Sequence, residues 1–137
     1  MKIFAGIGAA GILLALASPA SARIGETLDQ CQLRYGVMTH VEAGKRQDYP
    51  QYCFQKGTVE IRVRLYNGFS AQETFVPLQG KLSAGQIEEI LTSNSKETTG
   101  KEVIQEVRKD REPHSNHVVV TTAEFQKVFQ ENRGTGF

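Results

Sequence analysis

The chain lacks an excess of charge of either sign: 16 Lys+Arg stand against 15 Asp+Glu in 137 residues. That balance excludes a generic nucleic-acid binder, which needs a basic surface, and an acidic solvating tail. Cysteine is scarce, with Cys31 and Cys53 alone, and no Cys-x-x-Cys redox motif occurs. A Gly-x-Ser-x-Gly elbow is absent, as is a glycine-rich phosphate loop, and neither cysteine has a histidine beside it in sequence. The length suits one domain.

What is present begins with residues 1–22. Lys2 precedes an apolar run from Ile3 to Ala17; Pro19 breaks it, and Ala20-Ser21-Ala22 has small residues where a signal peptidase reads. This pattern predicts a secretory leader cleaved after Ala22, with a periplasmic or secreted product in a bacterium. The run is shorter than the roughly 18–20 residues of a membrane span, and no second apolar run follows, so no membrane span is expected in residues 23–137. Those residues form the single expected domain, with charge exactly balanced once Lys2 is removed. Their core is expected to be thin. In an oxidising compartment an even cysteine count predicts a Cys31–Cys53 disulfide, worth about 3 kcal/mol through loop closure.

The periodicity predicts an α+β fold: an antiparallel sheet of about five to six strands with helices packed on one face. Residues 24–36 read as a short helix with Leu28, Cys31 and Tyr35 on one side and Gly36 as its left-handed cap. Residues 37–41 suit a short strand, and 51–55 a second with a turn at Lys56-Gly57. Val59, Ile61, Val63 and Leu65 alternate with Glu60, Arg62, Arg64 and Tyr66, which marks a half-buried strand. At Asn67-Gly68 a three-residue loop pairs Leu65 with Phe69 and puts apolar residues on one face, so that register is expected. It sets Glu73 opposite Ile61 on the inner face, with no evident reason. Ser83 and Gln86 form a capping box for a helix through Asn94, followed by a polar linker to Gly100. Residues 101–110 suit either helix or strand; the Asp110–Pro113 turn and the Val118–Val120 run favour a hairpin. Thr121 or Thr122 caps a last helix, with Phe125, Val128 and Phe129 on one side.

Arg23, Gly25, Glu26, Thr27, Cys31, Arg34, Tyr35 and Gly36 form an Arg-x-Gly-Glu-Thr opening, a Cys and an Arg-Tyr-Gly helix end. In these residues, and in the strand-rich block with Asn67-Gly68 that follows, the chain resembles a group of small, functionally uncharacterised exported bacterial proteins. More distantly, it is similar to outer-membrane assembly lipoproteins of the BamE type and to β-lactamase-inhibitor-like domains. In the latter, a helix cysteine can pair with one in a strand. The chain has neither a lipidation Cys at the cleavage point nor a tandem duplication.

Candidate chemistry is sparse. His114 and His117 form a lone His-x-x-His, short of the third and fourth ligands a zinc site needs. Glu88-Glu89 and Glu102/Glu106 read as solvated faces. Arg62, Arg64 and Tyr66 make the one stripe with binding character, since Arg and Tyr are favoured at interfaces. No catalytic, cofactor or metal residue is expected. The sequence therefore points to a non-enzymatic, exported module that binds an envelope or extracellular protein, with nucleic acid excluded. One alternative is a small periplasmic hydrolase or metal-dependent enzyme using His114 and His117; another is an inhibitor of an extracellular enzyme.

Overall fold

The computed structural model describes residues 23–43, 49–109 and 115–136, with side chains through Glu131. The expected leader and His114 lie outside the described residues, as do the whole Asp110–Pro113 turn and residues 44–48 of the loop before Tyr49. In chain order the elements are α1 (Leu28–Tyr35), β1 (Met38–Glu42), β2 (Gln51–Lys56), β3 (Val59–Tyr66) and β4 (Phe69–Pro77). Then come α2 (Ala84–Ser93), α3 (Lys96–Thr99), β5 (Val103–Lys109), β6 (Asn116–Thr122) and α4 (Ala123–Gly136). The six strands form one antiparallel sheet in the order β1-β2-β3-β4-β6-β5, which gives the α+β class read from the sequence. None of the described helices is long and apolar enough to cross a membrane.

Local chemistry sets the element ends. Thr27 caps α1 and Ser83 caps α2, each in a complete capping box with the glutamine three residues on. Gly36 ends α1 at φ +98°, backbone that only glycine enters cheaply. Thr122 accepts the Phe125 N–H at 3.2 Å and so starts α4. Part of the expected polar linker is helical: Ser95 caps the single turn of α3, and Gly100 closes it. Residues 103–109 are strand, as the hairpin reading required.

Strand alternation sends Phe54, Ile61, Val63, Phe75, Val118 and Val120 to one face, where Ile24, Cys31, Tyr35, Leu82 and Ile90 close over them. That face carries α1 and α2. The C-terminal helix adds a layer on the other face, where Phe125 and Phe129 meet Tyr49, Tyr66 and Arg64.

The helices were expected on one face, and α4 on the outer face corrects that, because α1 and α2 already fill the inner one. Two further expectations need correction. The β3–β4 hairpin has a two-residue loop, with Tyr66 opposite Phe69 and both Asn67 (φ +55°) and Gly68 (φ +86°) left-handed. This loop matches the strand twist better than a longer one, and a bulge then restores the apolar alternation. Leu65 pairs with Ser70 and Arg64 with Gln72, so Ala71 is the extra residue. Phe75 therefore lies opposite Ile61, and Glu73 opposite Val63.

The other correction is the disulfide: Cys31 and Cys53 are both free thiols. Phe54, not Cys53, faces α1, with its ring 5.6 Å from that of Tyr35. Its neighbour Cys53 must point through the opposite face of the sheet, so the strand itself stands between the two sulfurs. Spacing brought the cysteines onto packed elements; the strand's two-residue period kept them apart.

Candidate functional site

The residues of the Arg-x-Gly-Glu-Thr opening are spent on a structural clasp. Glu26 and Arg34 form a two-pronged ion pair, with bonds of 2.8 Å from Nε and 2.6 Å from Nη2. This pairing raises the Arg34 pKa further. The bulge at Ala71 presents Ser70 to the incoming chain. Gly25 N–H donates to the Ser70 carbonyl at 2.8 Å, and Ser70 N–H donates to the Glu26 carbonyl at 2.7 Å. Asn94, fully buried, accepts the Ile24 N–H at 2.7 Å and donates to the Ile90 carbonyl at 2.9 Å. The clasp thus ties the start of the domain to both β4 and α2.

Beneath the clasp lies Glu73, fully buried. The Tyr35 hydroxyl donates to its Oε1 at 2.6 Å and in turn accepts the Arg23 backbone N–H at 3.1 Å. Oε2 has no hydrogen-bond partner. Burial pushes the Glu73 carboxyl up to about 7; the Tyr35 and Ser70 hydroxyls favour the charged form but do not offset the loss of water. The Tyr35 phenol and the Cys31 thiol are pushed up by burial and then by the Glu73 charge. Glu73 is thus enclosed in the core with no open path to a substrate. Its place on the inner face was visible in the strand alternation, but its partner Tyr35 was not.

The expected Arg62–Arg64–Tyr66 stripe is not an open sheet face. Arg62 is held by Glu60 at 3.0 Å on the same strand. Arg64 donates from Nε to the Tyr49 carbonyl at 3.1 Å and from Nη1 to Gln72, and its guanidinium lies 5.3 Å from the Phe129 ring centre. Tyr66 packs against Phe125 at 5.7 Å. The apolar side of α4 needs a surface, and the outer face of β3 supplies it.

What α4 leaves beside it is a polar cleft of about 310 Å³. Arg64 and Gln72 stand on one side, Arg108 and His117 on the other, with Thr74 and Val119 as floor and Gln126, Phe129 and Gln130 along the helix. No carboxylate is among its described lining residues. Arg108 is bonded to Glu106 at 2.6 Å in a half-exposed pair, the kind that exchanges readily for another anion. The structure thus joins Arg64 with His117, which the sequence reading had assigned to separate hypotheses, and separates Arg64 from Arg62. Arg108 was missed because, on an edge strand beside Glu106, nothing in sequence distinguishes it from a solvated charge. A second hollow of about 360 Å³, floored by Val59, Ile61 and Phe75, opens on the inner face between α1 and α2.

Among the described residues, one group has three candidate metal donors close together, and it does not include His117: His40, Glu42 and Cys53. Burial and then the charge of Glu42 push the Cys53 thiol up to about 11.

The fold and cleft define a class: a small α+β domain with helices on both faces of a six-stranded antiparallel sheet and a polar cleft, lined by two arginines, along its last helix. Compared with protein-family models, curated proteins and solved structures, the chain matches none.

Proposed function

We propose that the protein is an exported, non-enzymatic binding module that takes an acidic group of an envelope or extracellular protein into the cleft beside α4. The observation that carries this reading is the cleft's lining: two guanidinium groups and an imidazole, with no carboxylate among the described lining residues and the half-exposed Glu106 held by Arg108, backed by neutral hydrogen-bonding side chains. Planar guanidinium groups recognise carboxylates with directed, paired hydrogen bonds. A net charge near zero leaves this local field as the source of selectivity. The leader pattern of residues 1–22 supports export, and protein recovered from cells is expected to begin at Arg23 by intact mass.

The test is an NMR titration with a short glutamate-rich peptide. Shifts are expected at Arg108, His117 and the Arg64 side chain. Binding should weaken with salt and fall at least tenfold in Arg108→Glu, while Arg62→Glu, outside the cleft, should change it little. Affinity capture from native envelope extract should show the same ranking. A peptide that shifts no cleft residue, or Arg62→Glu weakening binding as much as Arg108→Glu, would overturn the reading. An inhibitor would use the same surface, so loss of activity in the captured protein would specify the function further.

A further inference from the structure

The outer face of the sheet has another constellation at its far edge. β1 and β2 pair so that His40 lies directly opposite Cys53 and Glu42 opposite Gln51. Strand alternation therefore puts His40, Glu42 and Cys53 on one face, although Glu42 and Cys53 are separated by a long loop in sequence. The Cys53 sulfur, an imidazole nitrogen of His40 and a carboxylate oxygen of Glu42 all lie within 4.8 Å of one another. A tetrahedral ion with bonds of about 2.0–2.3 Å holds its ligand atoms roughly 3.5 Å apart. The remaining gap is within reach of side-chain rotation, because His40 and Glu42 are 46% and 48% exposed. Cys53, at the base of the group, is fully buried.

The hydrogen bonds around His40 fix which nitrogen is free. The Thr39 hydroxyl donates its proton to the Cys53 carbonyl at 3.0 Å. The 3.1 Å contact between that hydroxyl and His40 Nδ1 must then be donated by the imidazole, so Nδ1 carries a proton. The other nitrogen, Nε2, lies 3.1 Å from Glu42 Oε2. With Nδ1 protonated, a neutral ring would aim the Nε2 lone pair at a carboxylate. The contact is favourable only when a cation lies between them: a second proton, or a metal ion. A hydrogen bond from the far N–H to an oxygen acceptor, here the Thr39 hydroxyl, fixes the tautomer and ring orientation as in metal-binding histidines.

We propose that His40 Nε2, Glu42 and Cys53 Sγ form a binding site for a borderline divalent transition ion of the zinc class, with water from the open side as fourth ligand. One nitrogen, one oxygen and one sulfur donor suit such an ion better than magnesium or calcium, which favour oxygen alone. Binding releases the thiol proton of Cys53 to solvent, so the site carries Cys as thiolate and His as a neutral ligand through Nε2. No electron is transferred. The site is distinct from the polar cleft and does not rest on the function proposed for it.

Cobalt(II) is the probe, because thiolate ligation gives it a near-ultraviolet charge-transfer band and four-coordination gives intense visible bands. Titration of the purified, metal-stripped protein under a non-coordinating reductant is expected to show both, saturating at one ion per chain and displaced by zinc. Cys53→Ser should abolish the charge-transfer band. His40→Ala, on an exposed edge strand and so harmless to the core, should weaken cobalt binding at least tenfold while circular dichroism stays unchanged. A titration without the sulfur band would overturn the site. So would a band that persists in Cys53→Ser, or an affinity unaltered by His40→Ala.

Discussion

Between pH 4.5 and about pH 8, Glu73→Gln is expected to gain about 3 kcal/mol of stability relative to the parent chain. The buried Glu73 carboxyl has its pKa at about 7 in the fold, against an ordinary 4.5. Within that window the folded protein holds a proton that the unfolded chain has lost, so the parent's stability falls as pH rises. The contribution is full below pH 4.5 and gone above pH 7. A pKa difference of about 2.5, at about 1.4 kcal/mol for each step of one, gives the 3 kcal/mol. Gln cannot ionise, and its amide oxygen can still accept from Tyr35. The amide nitrogen adds a fixed cost where Oε2 already lacks a partner, which offsets the difference between the two pH profiles by a constant and leaves its change of about 3 kcal/mol with pH intact. Urea unfolding at a series of pH values measures the difference. A flat difference would mean that Glu73 is ionised throughout, and that some counter-charge offsets its burial.

Glu73 also shows what the sequence could and could not disclose. A period of two in the expected three-residue register put a glutamate on an apolar face, and the bulge keeps it there in the observed one. Its chemical justification needed a tyrosine from a helix 38 residues away, and no local pattern announces that contact. The same limit explains the cysteines. Helix periodicity correctly put Cys31 on the core side, but pairing it with Cys53 requires that both lie on the same side of the sheet, and Phe54 took that side. The hairpin was misread because two devices act together there. A two-residue turn that seemed to put polar residues opposite Leu65, Val63 and Ile61 is corrected by a bulge at Ala71, which shifts the partner strand by one. Two caps were legible because they are local: Ser83 with Gln86 and Thr122 at α4 each depend on residues three apart, whereas the equally local Thr27–Gln30 box was hidden by starting the helix at Ile24.

The candidate site was legible only in its parts. Arg64 and His117 stood out as residue types, yet their convergence depends on the side of the sheet chosen by the last helix. The Phe125/Phe129 side of α4 was readable; its target was expected to be the inner face. That face was already filled by α1 and α2, whose side chains close over Phe54, Phe75 and Val118. Tyr66 and the stem of Arg64 were the apolar area left over, because long side chains with polar ends can cover a helix with their bodies. A stripe read as an interface for a partner is thus partly an interface within the chain.

Phe125→Ala is therefore expected to act on stability and on binding together. Phe125 is fully buried, with ring contacts to Tyr49 at 5.1 Å, Phe129 at 5.4 Å and Tyr66 at 5.7 Å. Truncating such a ring removes its burial and leaves a void that the sheet cannot close, at a cost of about 3–5 kcal/mol. For a domain of this size that is a large share of the roughly 5–15 kcal/mol that holds it folded. The loss should be uneven. With its anchor removed, α4 loses its hold on the outer face, and the wall of the cleft formed by Gln126, Phe129 and Gln130 goes with it. At temperatures where the variant is still folded, hydrogen exchange should rise in α4 first, while α1, α2 and the β2–β3–β4 centre of the sheet stay protected. Glutamate-peptide binding should be lost at those same temperatures, but cobalt binding at His40, Glu42 and Cys53 should persist, because that site lies at the β1–β2 edge. If exchange rises uniformly instead, α4 is an integral part of one cooperative core. The cleft would then be inseparable from the fold rather than built onto it.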